Sequence, residues 1–126
     1  MAETEKITIN MNVVDLGKVD LLVDQGFYSN RTDFIRSSIR NQLATHAADL
    51  ESLLVRKEFV VGVVKYSRKE LEKLLASNEK VEMKIIGLLI LDEDIDVELA
   101  VKTIKSLQVK GVFKANAAVK QALGKL

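Results

Sequence analysis

The chain has 126 residues, 48% of them apolar, with 19 Lys/Arg against 18 Asp/Glu and no cysteine. That length holds one ordinary domain or two very small ones, with enough apolar residues to build a core. The absence of cysteine excludes a disulfide scaffold and a thiolate metal site, and a net charge of +1 excludes an indiscriminate polyanion binder.

The start, Met1-Ala2-Glu3-Thr4-Glu5, is polar and acidic, unlike a secretory signal. Next comes Lys6-Ile7-Thr8-Ile9-Asn10-Met11-Asn12, in which Ile7, Ile9 and Met11 alternate with Lys6, Thr8 and Asn10. A period of two predicts a strand with three apolar side chains on one face and three polar ones on the other. A helical pattern follows to about Lys57, so no neighbouring segment can pair with this strand in a hairpin. An unpaired apolar strand is unstable alone. The simplest remedy is a second copy of the chain, giving a two-stranded antiparallel ribbon. Its sealed face would hold Ile7, Ile9 and Met11, and its open face would show Lys6, Thr8 and Asn10 twice. Cation, hydroxyl and amide are side chains that read base edges, and the major groove admits such a ribbon.

Asn12, with Asp15 three residues on, predicts the start of a first helix that buries Leu16, Val19, Leu22 and Val23 and ends at Gly26. After the turn Phe27-Tyr28-Ser29-Asn30, the pair Asn30 and Asp33 predicts a second helix. It buries Phe34, Ile35, Ile39 and Leu43 and leaves Arg31, Arg36 and Arg40 for solvent or phosphate. Its apolar spacing extends through Ala47, Leu50 and Leu54, as far as Lys57.

Strand, turn and spacing together resemble a ribbon-helix-helix DNA-binding domain, the fold of many small phage and plasmid repressors and of the methionine and nickel repressors. The stretch Gly26-Phe27-Tyr28-Ser29-Asn30-Arg31-Thr32-Asp33-Phe34-Ile35-Arg36 is similar to that family's turn into its second helix. The likeness covers about the first third of the chain and lacks the proline often found just after the strand. It implies an intertwined homodimer bound to double-stranded DNA, with Lys6, Thr8 and Asn10 on bases and Ser29, Asn30, Arg31 and Thr32 on a backbone phosphate. The dimer core would then comprise Ile7, Ile9, Met11, Ile35 and Ile39. The phosphate role also follows from the amides and dipole of a helix N-terminus.

From Glu58 onward the rhythm changes. Gly62, Gly87 and Gly111 recur in similar surroundings: Val60-Val61-Gly62-Val63-Val64, Ile85-Ile86-Gly87-Leu88-Leu89 and Val109-Lys110-Gly111-Val112-Phe113. Each reads as a short buried strand. Five residues after each glycine stands a capping residue (Ser67, Asp92, Asn116), and twelve after it a leucine (Leu74, Leu99, Leu123). The expected fold is therefore α/β overall: a ribbon-helix-helix domain over residues 1–45, a helical extension over 46–57, and three strand-helix repeats with parallel strands over 58–126. These repeats look like a short solenoid, with a compact βαβ sheet as the alternative. If the units stack in register, the three glycines form a ladder.

No chemical site is expected. His46 is the single histidine and reads as surface. Asp92-Glu93-Asp94-Ile95-Asp96 lacks the glycine and final glutamate of a calcium loop and reads as a solvated loop capping the next helix. Nothing resembles a phosphate-cradling loop or a nucleophilic triad, so neither catalysis nor a metal or other cofactor is expected. The apolar run around Gly87 is too short to span a bilayer, and the expected location is the cytoplasm. The sequence supports a dimeric DNA-binding regulator, as a repressor, whose last domain assembles oligomers or senses an effector. Two alternatives are an antitoxin that autoregulates its operon and a DNA-organising or filament-forming protein.

Overall fold

The computed structural model describes residues 3–124. The outermost residues of the expected first and last domains (Met1, Ala2, Lys125 and Leu126) lie outside the described residues. The chain divides into two compact units, one over Thr4–Arg56 and one beginning at Lys57.

In the first unit, residues 6–12 form no strand in the single chain. The three strands among the described residues all lie in the second unit, so nothing in the first can pair with this segment. Helix α1 (Val13–Asp24) begins at Asn12, whose side chain accepts the Val14 amide at 2.8 Å and the Asp15 amide at 3.3 Å. It ends in the two main-chain hydrogen bonds of a left-handed glycine cap: the amide of Gly26, at φ +83°, donates to the Val23 carbonyl, and that of Phe27 donates to the Leu22 carbonyl. Helix α2 (Arg31–Thr45) starts at Asn30, which accepts the Asp33 amide at 2.8 Å.

The second helix does not continue unbroken to Lys57. It stops at Thr45, and a separate α3 spans Ala47–Lys57. His46 takes φ −100° and ψ 13° and donates to Leu43, three residues back, tightening the last turn. Thr45 turns its hydroxyl onto the Asn41 carbonyl at 3.1 Å, a contact that bends helices.

The second unit alternates β1 (Val60–Tyr66), α4 (Arg68–Ala76), β2 (Val81–Leu91), α5 (Val97–Thr103), β3 (Ile104–Lys114) and α6 (Ala117–Leu123). The strands are parallel in the order β1-β2-β3. Gly62 pairs with Gly87, and Gly87 with Gly111, so the glycines do form a ladder. Met83, Ile85, Leu89 and Leu91 of β2 share one apolar cluster with Leu71, Leu99, Ala100, Val119 and Leu123 from the three helices. Alternate residues of the central strand thus face the helices.

Two expected features differ. The two outer strands are not buried as expected: β1 is an exposed edge, and in β3, the opposite edge, no residue of Val109–Phe113 is buried, because β2 covers only one side of each. The cap of α5 is Asp96, whose carboxylate accepts the Leu99 amide at 2.8 Å, and not Asp92. Residues 92–95 instead make a four-residue insertion, held by Asn116, which donates to the Ile95 and Glu93 carbonyls at 2.6 and 3.2 Å. Ser67 and Asn116 cap α4 and α6 as expected, and Ser67 forms a complete capping box with Glu70.

Candidate nucleic-acid interface

Lys6, Thr8 and Asn10 are exposed on the segment before α1, together with their apolar alternates. Ile7 is 72% and Ile9 59% exposed, while Met11 is half-buried. Ile35 is half-buried, and Ile39 and Leu43 on the same helix are exposed. Between Thr4 and Arg56 only Val19 is buried, so the apolar faces of this unit close no core within one chain.

Ser29, Asn30, Arg31 and Thr32 come together at the start of α2, but not all of them are free to hold a phosphate. The Asn30 side chain is engaged as the cap. The Ser29 amide donates to the Asp33 carboxylate at 2.9 Å. The Arg31 guanidinium makes a two-pronged bond to Asp20 at the other end of the turn, with Nε and Nη2 at 2.7 and 2.8 Å from its two oxygens. That bond holds the Asp20 carboxyl below its ordinary value and raises Arg31 further. The main-chain amides of Arg31 and Thr32 remain in the first turn, where a helix offers no acceptor of its own. Tyr28 fixes the turn by packing edge-on against Phe34, with ring centroids 5.0 Å apart.

Asp20 was the residue that sequence reasoning missed. The signal was present: an acid one turn before the end of a helix and an arginine opening the next face each other across a tight connection. Arg36 and Arg40 stay exposed along α2. Among the described residues, no three histidine or carboxylate side chains gather as metal ligands, and no helix is long and apolar enough to cross a membrane.

Two capped helices on a glycine turn, preceded by an exposed amphipathic segment, define a helical domain that lacks a core of its own. The model of the ribbon-helix-helix transcriptional regulator family matches residues 2–120, and the chain belongs to that family. The match runs through β3 into α6, so the likeness is not confined to the first third of the chain. No curated protein and no solved structure matches the chain.

Proposed function

We propose that the protein is a sequence-specific DNA-binding repressor that acts as a homodimer. Residues 6–11 of two copies pair as an antiparallel ribbon, which enters the major groove and sets Lys6, Thr8 and Asn10 against base edges. Ile7, Ile9 and Met11 turn inward onto Ile35 and Ile39 of both copies. The amides at Arg31 and Thr32, flanked by Ser29 and Asn30, receive a backbone phosphate. The observation that carries this reading is the unclosed core: a unit of this size with one buried side chain must cover its isoleucines with something. Family membership points to a second copy.

The unit from Lys57 on has a core of its own, which supports a role in assembly or effector response over that of a toxin-binding tail. The DNA reading is tested by the triple change Lys6→Ala, Thr8→Ala, Asn10→Ala, assayed on a site selected from random duplex DNA. Each good base contact is worth about 1–3 kcal/mol, so selectivity for that site should collapse while the dimer stays folded. Unchanged selectivity would remove the ribbon from the groove.

A further inference from the structure

The two open edges of the parallel sheet are unlike. The outer edge of β3 is guarded by the exposed lysines Lys110 and Lys114, the usual device that keeps strand edges from pairing. The edge at β1 has no such guard. Its first five residues are Val60-Val61-Gly62-Val63-Val64, and its one charge, Lys65, lies 3.6 Å from the Asp92 carboxylate. Val61 is 63% and Val63 58% exposed, and a side chain at Gly62 would meet open space.

The five residues also read the same in both directions. Antiparallel pairing of this strand with itself about a two-fold axis at Gly62 sets Val60 opposite Val64 and Val61 opposite Val63. Branched aliphatic pairs of this kind stabilise a sheet, and no like charges meet. Pairing β1 with the β3 edge of another copy would instead place Lys114 beside Lys65 if the glycine register continued. A contact that uses the same strand twice also closes on itself.

We propose that β1 is a self-association strand, which pairs antiparallel with β1 of a second copy and joins two three-stranded sheets into one of six strands. This rests on the reading of the second unit as an assembly module and names the surface that does it. The natural chain has no cysteine, so introduced thiols report without background.

Full-length Val61→Cys and Val63→Cys proteins, mixed, unfolded, refolded together and oxidised, should give a covalent dimer of unlike chains. Val112→Cys should link to neither. Within one chain, Val63 and Val112 are separated by the whole of β2, about 9.5 Å, beyond the reach of a disulfide. A Val63→Cys/Val112→Cys protein that oxidises to a ladder of multimers would show that β1 meets β3 and overturn the proposal. So would the absence of any link from positions 61 and 63. Site binding by the same variants under reducing conditions reads the first unit separately, so loss of the links with binding intact counts against this edge alone.

Discussion

Arg31 illustrates how one side chain can be drawn off by a neighbour. Its guanidinium faces Asp20 rather than the open N-terminus of α2, so Asp20→Asn should release it toward a phosphate. Binding should then tighten, and its salt dependence should steepen by about 0.9 in log–log slope, the value for one added phosphate contact. Titrating a DNA duplex at several salt concentrations checks this, and an unchanged slope would mean that Arg31 stays away from the backbone. The same ion pair has a pH signature. The folded Asp20 carboxyl lies below its ordinary value, so its contribution to stability is present above the ordinary carboxylate range and disappears as pH falls through the folded value. Thermal melts of natural and Asp20→Asn proteins should therefore differ near neutrality and converge in acid.

At the level of elements, the glycine ladder makes an unequal demand on its members. All three glycines hold φ between +117° and +140°, where an L side chain is strained by about 1–3 kcal/mol. A side chain on Gly87 would also run into the Gly62 carbonyl, and one on Gly111 into the Gly87 carbonyl, whereas Gly62 faces open space. Where β1 is unpaired, at protein concentrations too low for self-association, Gly87→Ala should thus lower the denaturation midpoint of the second unit well beyond Gly62→Ala. Equal losses would leave only backbone strain at work. This ladder was legible in the sequence because spacing and residue type alone determine it, as they do for the Asn12, Asn30, Ser67 and Asn116 caps. The break at His46 was not, since Ala44, Thr45, Ala47 and Ala48 include no helix breaker. The cap of α5 was ambiguous among Asp92, Asp94 and Asp96, each of which suits a helix start. The exposure of β1 depends on which strand lies at the edge, a property of the order and not of β1 itself.

For the whole molecule, the two units differ in what holds them together. The second has its own buried cluster, and the first has Val19. Ile9→Lys would place an unpaired ion in the proposed shared core at a cost of several kcal/mol. Circular dichroism and sedimentation should show loss of the helices of the first unit with the second retained. A stable monomer with every helix intact would contradict the ribbon. The fragment 1–57 should still dimerise and bind one site, while the full chain alone binds adjacent sites cooperatively. Sedimentation and titrations on one and two sites compare them, and identical behaviour would move the second unit from assembly to effector binding.

The nearly coreless first unit also bears on how a cell would count this protein. If folding of the reading head waits for a second copy, the active species grows with the square of a scarce supply, and folding becomes part of the dose response. A fall in synthesis would then lower occupancy of a DNA site more than proportionally, and unpaired chains, half folded, would be exposed to proteolysis first. Such a regulator would carry a steepened dose response in its own fold and need no separate molecule to set it.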